Sequence, residues 1–216
     1  MTRGFAVVLT LLTLGFALFT AWWSTRRVDY FPSELQSVFN DCEPLPGVHD
    51  RQSIMDEFSN DWYSGVLSDF QEPSLHRRPA DTPRSIRFIW IRSFHDPVVV
   101  RVDFSATGTW RLTAKQNPSE TALSSKRGIE RPRQKVRVLS AAEVASLETA
   151  LSTSRLFELP SSGCQRGLDG AQWIIEGADP VKGYRFRDAQ SPDAGIERDL
   201  GLFMLGLTGW DIEPIY

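Results

Sequence analysis

The stretch from Ser85 to Phe104, SIRFIWIRSFHDPVVVRVDF, leaves the chain little choice of local structure. Two runs rich in β-branched and aromatic residues flank the tight connection His95-Asp96-Pro97, which is the pattern of two neighbouring strands. In the first run Ile86, Phe88 and Trp90 share one face, and Arg87, Ile89 and Ile91 the other. In the second, Val98, Val100, Val102 and Phe104 oppose Val99, Arg101 and Asp103. Ala106-Thr107-Gly108 reads as a turn and Trp110 to Ala114 as a third strand. Short connections between three strands predict an antiparallel meander.

Helical periodicity brackets this meander. Ile54, Phe58, Trp62, Val66 and Phe70 recur every four residues ahead of Pro73, predicting an amphipathic helix that Ser53 caps and Pro73 ends. Trp62, Tyr63 and Trp173 are expected in the core. A short strand at Lys135–Leu139 leads to Ser140, with Glu143 three residues on, the signature of a capping box. Ala171–Gly177 and Tyr184–Arg187 read as a hairpin turning at Asp179-Pro180 and Gly183. Ile196, Leu200, Phe203 and Leu207 share a face of a last helix, which Gly209 can cap. Strands and helices do not alternate strictly. The expected fold is therefore α+β, with a mainly antiparallel sheet and helices packed on one face, preceded by one transmembrane helix.

That last expectation rests on Gly4 to Trp23, which carries no charge and is long enough to span a hydrocarbon core. Arg3 precedes it and Arg26 and Arg27 follow. Phe19 or Trp22 would occupy the −3 position of the two cleavage points considered, a poor fit to a signal-peptide site. An uncleaved anchor over residues 1–27 is expected, then a Pro-rich linker over 28–52 and one domain over 53–216. The partner implied is the membrane, through Gly4 to Trp23. The location is single-pass with the domain outside the cytoplasm, a secreted cleaved form being the alternative. Net charge is −3, without the basic excess of an electrostatic nucleic-acid binder. Cys42 and Cys164 lack CxxC spacing, so no metal site is read. One disulfide between them is open in an oxidising compartment. It would close a loop of about 120 residues, worth roughly 3–5 kcal/mol.

Several blocks resemble a family of uncharacterised bacterial proteins of about this size. They are WYSGVL at Trp62–Leu67, EPSL at Glu72–Leu75, RFIWIRSFHDPVVVRV at Arg87–Val102, GLDGAQWIIEG at Gly167–Gly177 and RDLGLFMLGLTG at Arg198–Gly209. Tyr184 and the Ser191-Pro192 step belong to the same likeness. The resemblance implies no reaction and no cofactor. The chain departs from it at Asp188-Ala189-Gln190, where an aromatic precedes Ser-Pro in the pattern, and in the polar stretch Lys115–Arg133, where the pattern has more glycine.

No nucleophile elbow, P-loop, HExxH or dinucleotide glycine pattern occurs. The leading expectation is a non-catalytic envelope protein that binds another protein or assists an assembly. The alternative is a hydrolase in which Arg92 clamps an anion and His95 or Glu176 acts as general base, with Asp169 and Tyr184 nearby. The same residues have a plainer reading, in which Arg92 pairs with a carboxylate, His95 shapes a turn and Asp169-Gly170 shapes a loop. A small apolar ligand held between sheet and helices is a third reading. Arg87, Arg101 and Arg111 are expected to form a solvated face with Asp103 compensating. The basic run Lys126, Arg127, Arg131, Arg133 and Lys135 reads as an exposed loop, with contact to lipid or an acidic protein as its alternative.

Overall fold

The computed structural model describes residues 28–216 except 41, 43–51, 78–83, 106–107, 121–127 and 165–168. In chain order the elements are α1 (Glu34–Ser37), α2 (Glu57–Asp69), β1 (Ser85–Arg92), β2 (Val98–Phe104), β3 (Trp110–Gln116), β4 (Arg133–Val138), α3 (Ala141–Ser154), β5 (Ser162–Cys164), β6 (Ala171–Asp179), β7 (Gly183–Gln190) and α4 (Ile196–Thr208). The strands form one seven-stranded sheet in the order β4-β3-β2-β1-β6-β7-β5. The meander is β1-β2-β3-β4, and the β6–β7 hairpin joins it through β1.

Three features of the expected fold are corrected. First, among the described residues no helix is long and apolar enough to cross a membrane. α3, at 14 residues, falls short of the roughly 20 that a span requires. The segment Gly4–Trp23 that suggested a span lies outside the described residues. Second, the sheet is mixed, because β5 runs parallel to β7. Third, helices cover both faces. α3 and α4 pack on the side of Phe88, Trp90 and Trp173, while α1, α2 and the segment before them pack on the side of Ile89, Ile91 and Ile174. β1 is consequently buried at every position, as a strand enclosed on both faces must be. Tyr30, Phe31 and Leu35, in the stretch read as linker, belong to that second core.

The Trp90 and Trp173 rings meet at 5.2 Å in the first core and are fully buried, each worth roughly 4–6 kcal/mol by area. α4 comes close enough that a Cβ on Gly201 would stand 2.7 Å from the Trp173 ring and 2.8 Å from Phe88. Only glycine permits this approach. The periodicity of α4 is realised, with Leu200, Met204 and Leu207 facing inward.

The periodicity of α2 is realised only in part. Asp56, not Ser53, is its N-cap, accepting from the Ser59 N–H. The helix buries Ser59, Tyr63 and Leu67. Phe58 is 73% exposed and Trp62 40%, although both belong to the stripe that the spacing assigned to the core. The ends of that stripe, Ile54 and Phe70, are buried.

α3 begins with the capping box read from Ser140 and Glu143. The Arg137 guanidinium also grips Glu143, with Nη1 donating to Oε2 at 2.8 Å. The Arg137 bond, followed by those from Ser140, holds the Glu143 carboxyl down at about 2. A lowered carboxyl contributes stability above its unfolded value near 4.5, and the contribution is lost as pH falls through 2. Glu143→Ala is expected to lower stability by about 1 kcal/mol at neutral pH. Urea melts of both proteins should show that difference shrinking between pH 4.5 and 2.

Candidate functional site

The candidate residues separate into two groups, because side chains alternate across a strand. Arg87, opposite Glu176 in the β1–β6 register, points to the α2 face. Arg92 lies an odd number of positions further along β1 and points to the α4 face with Trp90. The structure therefore brings Arg92 near His95, and Glu176 near Tyr184, but keeps the two pairs on opposite sides of the sheet.

On the α2 face Glu176 is the centre of a buried ion network. Arg87 Nε donates to Glu176 Oε2 at 2.7 Å, Arg87 Nη2 lies 2.5 Å from the same oxygen, and both side chains are wholly buried. The Tyr184 hydroxyl donates to Glu176 Oε1 at 2.8 Å. Arg87 Nη1 donates to the Pro73 carbonyl at 2.7 Å. Glu72, just beyond α2, accepts from Arg101 Nε at 2.7 Å and pairs with Lys115 Nζ at 2.8 Å. Arg101 also meets Asp103. Burial opposes the Arg101 charge, but Glu72 and then Asp103 outweigh it and raise its pKa above the ordinary guanidinium value. Burial and then the neighbouring Glu176 charge push the Tyr184 phenol well up.

Arg87 and Arg101 thus form a covered row, where a solvated face was expected. Only Arg111, further out, is exposed. The reason lies outside the meander: Glu72 and Pro73 close over it, and nothing in the strand pattern announces them.

On the α4 face Arg92 is 5% exposed and stacks on Trp90, with 4.3 Å from guanidinium carbon to ring centroid. Its Nε and Nη2 donate to the Asp96 carbonyl at 3.1 and 2.7 Å. It has no ion-pair partner among the described residues, so the carboxylate that the plainer reading gave it is a backbone oxygen. Burial lowers its pKa to about 10, against the pull of Tyr216 and Asp96. The Asp96 carboxylate instead accepts the backbone N–H groups of Ser119, at 2.8 Å, and Ile129, tying down the loop beyond β3. His95 is 8% exposed, and its Nδ1 lies 2.9 Å from the Tyr216 hydroxyl. Asp169 is exposed, and its carbonyl accepts from Gln190 Nε2 at 2.8 Å.

Tyr63 is the partner that sequence reasoning missed. Its hydroxyl donates to Asp188 Oδ2 at 2.8 Å across the second core. Burial, then the Asp188 charge, pushes the phenol up. A tyrosine at an apolar helical position was the available signal. Cys42 is disulfide-bonded and its Sγ lies 3.4 Å from the Gly163 carbonyl oxygen, beside the strand position of Cys164. Between α3 and α4 runs a groove of about 600 Å³, lined by Ala145, Ser146, Thr149, Thr153, Ile196 and Leu200. Its α3 wall is solvent-exposed, so it is a surface groove and not an enclosed apolar cavity.

The sequence matches no protein-family model and no curated protein. Glu176 is an ion-pair carboxylate with both oxygens occupied, a poor general base. Removing one partner of a buried pair typically costs 3–5 kcal/mol, because the other charge is left bare. Glu176→Ala is expected to destabilise by that amount in denaturant titrations. The double change Arg87→Met, Glu176→Leu is expected to recover most of it.

Proposed function

We propose that the described domain is a non-catalytic protein-binding module that works in an oxidising compartment. The observation that carries this reading is the outer face of α2. An apolar stripe with helical spacing surfaces at Phe58 and Trp62, whose rings lie 6.0 Å apart, while the helix buries the neighbouring face. Exposed aromatic surface of this kind is costly in a free monomer and is characteristic of interaction sites. Val38 and Phe39, from the same layer, are also about half exposed, at 49% and 56%.

Two further observations support it. Glu176, Glu72, Asp96 and Asp188 are engaged by internal donors, leaving them little capacity for acid–base work. The disulfide at Cys42 suits an extracytoplasmic location, where such bonds persist.

The test is a photo-crosslinking residue at position 58 in cells producing the full chain. A discrete adduct is expected that disappears when Trp62→Ser is added, with thermal stability within about 0.5 kcal/mol of the parent. The same adducts from a control position on the exposed side of α3, such as Thr149, would sink the reading. Cys42 is expected to resist maleimide labelling in unreduced cell extracts, and prompt labelling would argue against the oxidising compartment.

A further inference from the structure

β4 is an outer strand of the sheet, hydrogen-bonded to β3 on one side and followed by no described strand on the other. An open side offers a row of backbone donors and acceptors to another chain. The side chains of β4 sort cleanly by face. Gln134, Val136 and Val138 share the α2 face with Lys115, Thr113 and Arg111, while Arg133, Lys135 and Arg137 share the α4 face with Gln116, Ala114 and Leu112.

No described helix covers the first set. The exit of α2 reaches only as far as β3, where Lys115 Nζ donates to the Phe70 carbonyl at 2.7 Å. Val136 and Val138 remain 46% and 52% exposed. In the second set Arg137 is paired with Glu143. Lys135 donates to the Thr208 carbonyl at 2.8 Å and Arg133 to Gln116 Oε1 at 2.7 Å. Neither has an ion-pair partner among the described residues, although Arg133 feels the Asp96 charge and stacks on Trp210 at 4.3 Å. Arg131, two residues before β4, is exposed, and so is Arg111, opposite Val138 on the valine face. The edge therefore shows exposed valines bordered by Arg111 on one face and a basic row on the other.

These charges bear on the choice of occupant. Two copies of β4 laid antiparallel would bring the Arg133–Lys135–Arg137 rows onto one face of the joined sheet, where facing like charges repel. The same rows attract carboxylates. We propose that the β4 edge takes an extended acidic segment of a partner protein as an added strand. Its apolar residues lie over Val136 and Val138, and its carboxylates lie beside Arg133 and Lys135. Backbone hydrogen bonds supply affinity in this mode, and the alternation of side chains supplies specificity. The surface is on a different element from Phe58 and Trp62, so the two readings stand or fall separately.

The experiment titrates the full chain, at low ionic strength, with a short fluorescent peptide that alternates glutamate and valine, and with its lysine–valine counterpart. Fluorescence anisotropy and amide exchange are read. Saturable binding of the acidic peptide alone is expected, weakening as salt rises, with slowed exchange of the β4 amides. The double variant Val136→Ser, Val138→Ser should bind about tenfold more weakly, with an unchanged melting transition, and Phe58→Ser should bind as the parent does. Equal binding of both peptides, no saturable binding of the acidic one, or full retention in the double variant would overturn the proposal. Self-association of the free chain that the double variant abolishes would overturn it in favour of a second copy.

Discussion

The Arg87–Glu176 pair is the constraint around which one side of the molecule is arranged. The two residues face each other on adjacent central strands and are sealed from solvent. Two charges withdrawn from water cost several kcal/mol each unless their remaining hydrogen-bonding capacity is met. Here the Tyr184 hydroxyl and the Pro73 carbonyl supply hydrogen bonds, and the Glu72 carboxylate, 3.7 Å from Arg87, adds a second negative charge. The chain leaving α2 must therefore pass directly over β1 and β2. That route fixes how α2 crosses the sheet, from Tyr63 against Asp188 on β7 to Phe70 above Lys115 on β3. It also turns Phe58 and Trp62 outward, since the helix faces the sheet with Ser59, Tyr63 and Leu67.

Most groups that look reactive in the sequence are engaged inside the fold, Glu176 by Arg87 and Tyr184, Arg92 by the Asp96 carbonyl and His95 by Tyr216. Surfaces that look structural are left open. α2 shows an aromatic pair to solvent, and β4 shows an edge that pairs with no further strand among the described residues. Both suit recognition of another chain better than turnover of a small molecule, since neither has a cleft that would desolvate a substrate. The buried network also makes the centre of the scaffold sensitive to the loss of one of its charges.

Much of the fold was legible. The alternation in Ser85–Phe104 and the capping box at Ser140 and Glu143 are local signals, and local physics realised them. The site was not legible. A site joining Arg92 to Glu176 needs both side chains on one face of the sheet. Pairing did occur, between β6 and β1, but the register set Glu176 against Arg87 instead. A register is decided by summed contacts along both strands, and a slip of one residue exchanges the faces. That helices cover a second face of the sheet was not legible for a related reason. Tyr30, Phe31 and Leu35 have no periodic context, yet they fill the space above Ile89 and Ile174.

The sequence by itself determined which residues share a strand face or a helix turn, where the helices capped by Ser140 and Gly209 start and stop, and that the middle of the chain is a meander. These depend on neighbours a few residues away. Only the tertiary structure decided which faces are covered, which arginine meets which carboxylate, and which apolar stripe stays in solvent. The partners in those decisions lie far apart in sequence, as with Arg87 and Glu176 or Tyr63 and Asp188. Burial turns an ordinary arginine into one that must be neutralised, and burial is a property of the packed layers, not of the strand that carries the residue.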